Sequence, residues 1–192
     1  TEAIYNRNPE AVQPIYQAMA QVGYDAITIG NHDLDYGVDY LKKQLEESGL
    51  SDIVISSNVK NVNTRQSEWN ETMIIEKKIK DENGKNVTVK VGLLGVVVPK
   101  LSSKTEDYTG VLETEDIVAN AQKEAAKLKA EGADIIVALS HSGFGDEVPD
   151  EKAKNASYAL TKVEEIDVVL CGHEHNAFPS SDTAAASYYN LS

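Results

Sequence analysis

A chain of 192 residues is long enough for one well-cored domain and too short to presume two. With 41% hydrophobic and 26% charged residues, and no apolar run near the roughly 20 residues that cross a bilayer, it reads as an ordinary soluble globular protein without a membrane span. A net charge of −13 opposes nucleic-acid polymers and anionic membranes, and leaves a small anionic substrate open where cations reverse the local potential.

In chain order, Val12, Ile15, Tyr16, Met19 and Val22 stand at helical spacing, and Pro14 suits the first turn of that helix. Residues 25–29 read as a strand, 38–48 as a helix stopped by a left-handed Gly49, and 52–56 as a second strand. Residues 72–80 and 86–98 are rich in β-branched side chains, and Asp81-Glu82-Asn83-Gly84-Lys85 between them carries the Asn-Gly hairpin signal. A helix over 114–131 places Ile117, Ala121, Ala125 and Leu128 on one face. Thr114 at its start lacks the reciprocal Glu of a capping box, while Glu113, Glu115 and Asp116 suit the helix dipole and Gly132 closes it. Residues 134–140 form a continuous apolar strand, 151–163 a helix and 167–170 a last strand; the polar tail over 179–192 reads as loop. Apolar strands alternating with helices imply parallel strands covered on both faces, and the hairpin adds antiparallel pairing. The expected class is α/β, with mixed β-sheets layered with helices in one domain.

The four histidines, His32, His141, His173 and His175, all fall just after an expected strand. Their segments are Gly30-Asn31-His32-Asp33-Leu34-Asp35-Tyr36-Gly37, Ser140-His141-Ser142-Gly143 and Cys171-Gly172-His173-Glu174-His175. In open α/β sheets ligands bind beyond the carboxyl ends of the strands, so these loops should converge at one rim. Imidazoles with an asparagine carbonyl make a mixed nitrogen and oxygen donor set suited to zinc, manganese or iron rather than calcium. Two such ions could clamp the attacking and leaving oxygens of a displacement at phosphorus. No loop offers an obvious bridging carboxylate, because Asp33 and Asp35 suit a different task. His32 and Asp35, three apart in a turn, could pair, which would fix the imidazole tautomer and leave its other nitrogen to donate to the phosphate or the leaving oxygen.

The segment from Gly30 to Gly37 resembles the Gly-Asn-His-Glu-x-Asp-x-Gly signature of calcineurin-like metallophosphoesterases in the 5′-nucleotidase branch. The segments around His141 and His173-Glu174-His175 resemble that family's later metal motifs, in the same order. The stretches from Pro14 to Leu41 and from Asn176 to Pro179 are similar to bacterial 2′,3′-cyclic-nucleotide 2′-phosphodiesterase/3′-nucleotidases. The resemblance implies two divalent metal ions, with Asn31, His141 and His173 as ligands of the second metal and His175 as a ligand of the first. It implies His32 with Asp35 as the catalytic dyad, a small nucleotide as substrate, and an extracytoplasmic location. Many cyclic-phosphodiesterase relatives carry Asn where this chain has Asp35, which tilts the dyad toward the 5′-nucleotidase type.

The family's opening Asp-x-His and Gly-Asp motifs, its final strand and its C-terminal nucleotide-binding domain have no counterpart in residues 1–192. The expectation is therefore a partial metallophosphoesterase domain, incomplete at both ends and weakly active or inactive alone. A metal-binding or scaffold module without turnover is the alternative. A Rossmann domain is a weaker third, since no Gly-x-Gly-x-x-Gly follows any strand.

Overall fold

A computed structural model describes residues 2–8, 10–101 and 111–176 of the chain. Five helices are described: α1 (Glu2–Arg7), α2 (Pro14–Val22), α3 (Val38–Glu47), α4 (Ile117–Ala130) and α5 (Ser157–Leu160). The described strands are β1 (Ile27–Thr28), β2 (Val54–Ile55), β3 (Val59–Asn61), β4 (Thr72–Lys80), β5 (Asn86–Val97), β6 (Leu112–Thr114), β7 (Ile135–His141) and β8 (Val168–Cys171). Short 3-10 turns occupy Asn31–Leu34 and Ser51–Ile53.

The main sheet has the order β4-β5-β7-β8. Hairpin β4-β5 is antiparallel from Thr72 opposite Leu94 to Lys80 opposite Asn86, as the Asn-Gly turn between the strands requires. Strands β5, β7 and β8 run parallel, with Val97 beside His141 and Ser140 beside Cys171. Strands β1 and β2 form a separate parallel pair, and β3 and β6 an antiparallel one. Mixed sheets layered with helices are thus the architecture found.

Strand β5 divides the core by its period of two. Leu94 and Val96 join Ile136 and Ala138 of β7 beneath α4, whereas Val97 on the other face, with Val98 just past the strand end, belongs to a second cluster with Tyr16, Leu34, Leu41, Leu45 and Val54. Helix α4 buries Ile117, Ala121, Ala125 and Leu128, the face its spacing predicts. Sinking the isoleucine and leucine there contributes about 1.5–3 kcal/mol each. Its cap is Asp116, whose carboxylate accepts from the Ala119 N–H at 2.8 Å, while Thr114 belongs to β6. Pro14 does open α2, and Gly49 (φ 74°) and Gly132 (φ 90°) take the left-handed conformation that ends a helix.

Several sequence expectations need correction. The helix over 151–163 is only Ser157–Leu160, because residues 142–157 spend their polar groups on loop contacts: Ser142 Oγ donates to Lys154 O, and Ala156 N donates to Ser142 Oγ. Ala156, Ala159, Leu160 and Val163 are nonetheless buried. Strand β8 is not covered on both faces; Val168 and Leu170 stay 41% and 58% exposed at the edge of the described sheet. Ile15 and Val22 of α2 also face solvent. Strands over 25–29 and 52–56 shrink to two residues each, and β3 and β6 have no strong pattern in sequence. The tail expected as loop over 179–192 lies outside the described residues. Among the described residues no helix is long and apolar enough to cross a membrane.

Candidate metal and phosphoester site

Strands β1, β7 and β8 each deliver a polar loop at the carboxyl end. After β1 the chain passes Gly30 into the 3-10 turn Asn31–Leu34, which Asp33 fastens from both sides. One carboxylate oxygen of Asp33 accepts from the Gly30 N–H at 2.8 Å, and the other accepts from the buried Tyr16 hydroxyl at 2.8 Å. Burial, and next the Asp33 charge, push the Tyr16 hydroxyl's pKa up, so it remains a donor. Asp33 therefore serves the loop's shape. Its spacing, three residues after the glycine, was the available signal.

The turn brings Asn31 and His141 together across the sheet rim. His141 Nε2 lies 3.0 Å from Asn31 Oδ1, and His173 Nδ1 lies 3.3 Å from the same His141 nitrogen. The two imidazoles meet edge to face with centroids 5.1 Å apart. Gly30 makes the approach possible, since a Cβ there would sit 2.7 Å from His141 Cε1. Burial, then the neighbouring His173, hold the His141 pKa below the usual imidazole value. Burial, then the Lys154 charge, do the same for His173. Neutral imidazoles are the ligating form.

These separations suit a shared cation. Two donors bonded at about 2.1 Å stand about 3.0 Å apart at a right angle and about 3.4 Å apart at a tetrahedral one. Without a cation, His141 Nε2 can serve only one of its two neighbours in the neutral ring, donating to Asn31 Oδ1 or accepting from His173 Nδ1–H. Among the described residues no group of three or more His, Cys, Asp or Glu side chains is gathered closely enough to hold a metal; the gathered set is two histidines and an amide.

His32 and Asp35 meet as expected, Nδ1 to Oδ2 at 2.9 Å, with the carboxylate side chain 6% exposed and the imidazole 65%. The buried acid anchors an accessible ring. His175 is not drawn into contact with the others, although it is near enough for its charge to bear on both His141 and His173. His173 (φ 79°) and His175 (φ 56°) both adopt the left-handed conformation, which costs non-glycine residues about 1–2 kcal/mol each. Tyr36 and Tyr40 pack with Tyr5, the Tyr5 and Tyr36 rings stacking at 3.8 Å, so their part here is packing. Trp69 packs partly buried against the second core cluster.

Curated relatives align with most of this chain. The trifunctional nucleotide phosphoesterase protein YfkN of Bacillus subtilis is 36% identical over 180 residues, 93% of this chain and 12% of its own length. A 2′,3′-cyclic-nucleotide 2′-phosphodiesterase/3′-nucleotidase of Yersinia enterocolitica is 34% identical over 174 residues, 90% of this chain and 26% of its own. The chain thus spans about a quarter or less of these relatives. The crystal structure of the calcineurin-like phosphoesterase YfkN superposes with a TM-score of 0.83 at 35% identity, covering 95% of this chain and 56% of that one. The Haemophilus influenzae NAD nucleotidase, at 23% identity and a TM-score of 0.63, shares the fold. Residues 4–177 match the calcineurin-like phosphoesterase family, and the chain belongs to it.

Proposed function

We propose that the protein containing this chain hydrolyses small nucleotide phosphoesters, 2′,3′-cyclic, 3′- or 5′-linked, with the help of two divalent metal ions. The observation that carries this reading is His141 Nε2 standing 3.0 Å from Asn31 Oδ1 and 3.3 Å from His173 Nδ1. Those three side chains would hold one ion, and His175 would contribute to the other. Manganese, zinc or iron in these positions would supply positive charge to the phosphoryl oxygens and acidify water. The chain's own residues do the rest. Asp35 accepts from His32 Nδ1–H and orients the ring, and His32 as the imidazolium donates through Nε2–H to the phosphoryl group or the departing oxygen. Asp33 and Tyr16 keep the turn that carries both Asn31 and His32.

This reading treats residues 1–192 as part of a larger metallophosphoesterase domain, in keeping with the 12% and 26% of the relatives' length that they span. Similarity to nucleotide phosphoesterases supports the substrate class. An extracytoplasmic location goes with the family resemblance.

A module that binds metal without turnover is the competing reading. One observation favours it: Asp33 is engaged by the Gly30 N–H and the Tyr16 hydroxyl of α2, and Asp35 by His32, which leaves neither placed as a bridge between two ions. Activity against a panel of cyclic, 3′- and 5′-nucleotides separates the two. We expect hydrolysis by the intact protein to fall to background in chelator and to return with manganese or zinc. Undiminished turnover in chelator removes the metal mechanism, and metal uptake with no turnover on any nucleotide favours the module.

A further inference from the structure

Two histidine loops of the site are fastened from behind by one short segment, residues 154–157. Ser142, next to His141, donates through Oγ to Lys154 O at 2.7 Å and accepts from the Ala156 N–H at 3.0 Å. Ser157 Oγ donates to Ser142 O at 2.8 Å and lies 2.8 Å from Ser140 Oγ. Ser140, Ser142 and Ser157 are all buried. Gly143 continues the contact: its carbonyl oxygen accepts from the Ser157 N–H at 3.0 Å, and its backbone pairs with Asn155 in an isolated parallel bridge. A Cβ at Gly143 would lie 2.5 Å from both Asn155 Oδ1 and Glu174 Cγ, so the glycine opens the space in which these two side chains sit.

Glu174 belongs to the other loop, between His173 and His175. Its carboxylate meets the Lys154 ammonium at 2.9 Å. That pairing, against a smaller opposing effect of burial, holds the Glu174 carboxyl below the usual range. The turn it occupies puts His173 and His175 at positive φ, a conformation that lasts only where the surroundings enforce it. Lys154 and Asn155, with the space left at Gly143, are among the surroundings that Glu174 meets.

We propose that residues 154–157 form a strut setting the separation of the His141 and His173 loops, and that Glu174, gripped by Lys154, is the positioning residue through which the strut holds the histidine turn. The proposal rests on the reading of His141 and His173 as ligands. Glu174 need not touch the ion or the substrate to act in this way; partners behind metal ligands commonly set affinity.

Equilibrium dialysis of the chain against zinc tests the strut, with thermal unfolding of the metal-free chain as the control for folding. Glu174→Ala and Lys154→Met should each weaken zinc binding about 10- to 100-fold with the metal-free unfolding midpoint unchanged. The exchanged pair, Lys154→Glu with Glu174→Lys, should recover most of the loss. Lys154 is exposed, so Lys154→Met keeps the test open even if the glutamate variant folds poorly. Affinity within twofold of the unaltered chain for Lys154→Met overturns the strut while leaving the ligand reading intact. Failure of the exchanged pair to recover any affinity also overturns it. An unaltered chain that takes up no zinc overturns both.

Discussion

Replacing His32 with alanine in the intact protein should lower kcat for nucleotide hydrolysis by about 10²–10⁴-fold while bound metal stays at the unaltered level. The expectation follows from the division of labour at the rim. His32 is mostly exposed and committed through Nδ1 to a buried Asp35, an arrangement that fixes which nitrogen carries the proton. With Nδ1–H given to Asp35, Nε2 donates when the ring is protonated on both nitrogens. His173→Ala should behave differently, losing metal first and activity with it, and excess manganese or zinc should restore part of the rate. Metal analysis of both variants beside their kinetics distinguishes the roles. Equal metal loss in the two variants would contradict the assignment of His32.

Gly30→Ala should be as damaging to metal binding as the loss of a ligand, though it removes no donor atom. The glycine's own backbone (φ −104°, ψ 168°) is open to alanine, so conformational strain is not the cause. The added methyl would lie 2.7–2.9 Å from three atoms of the His141 ring. That ring is held between Asn31 and His173 and has nowhere nearby to go without leaving one of them. Overpacking of this kind costs about 1–3 kcal/mol of stability and should displace the imidazole from the site. A double-mutant cycle with His141→Ala reads the cause directly. Removing the ring should return the stability lost to Gly30→Ala, while zinc binding stays weak in both backgrounds. A stability loss that persists without the ring would place the fault elsewhere.

Much of this site could be read from sequence because its residues sit at boundaries that the strand pattern reveals. His141 ends β7, Asn31 and His173 lie just past β1 and β8, and the parallel pairing of β7 with β8 puts their ends on one rim. The hairpin was equally visible through its turn residues, and α4 through the spacing of Ile117, Ala121, Ala125 and Leu128. What stayed hidden depends on contacts between distant residues. The apolar spacing of Ala156, Ala159, Leu160 and Val163 reports burial correctly, yet the backbone before it bends to bond Ser142 and Gly143 instead of continuing a helix. Strands β3 and β6, with Lys60 and Glu113 at their centres, carry too few residues for a period to register. The bracing of the Asn31 turn by Tyr16, 17 positions before Asp33, left no local mark. Nor did the pairing of Lys154 with Glu174.

X-ray absorption at the zinc edge of the zinc-loaded protein tests the central claim most directly, because it counts imidazoles around the ion. The geometry of Asn31, His141 and His173 predicts imidazole nitrogens at about 2.0–2.1 Å, with the imidazole signal reduced in both His141→Ala and His173→Ala. An all-oxygen shell, unchanged by either substitution, would contradict it.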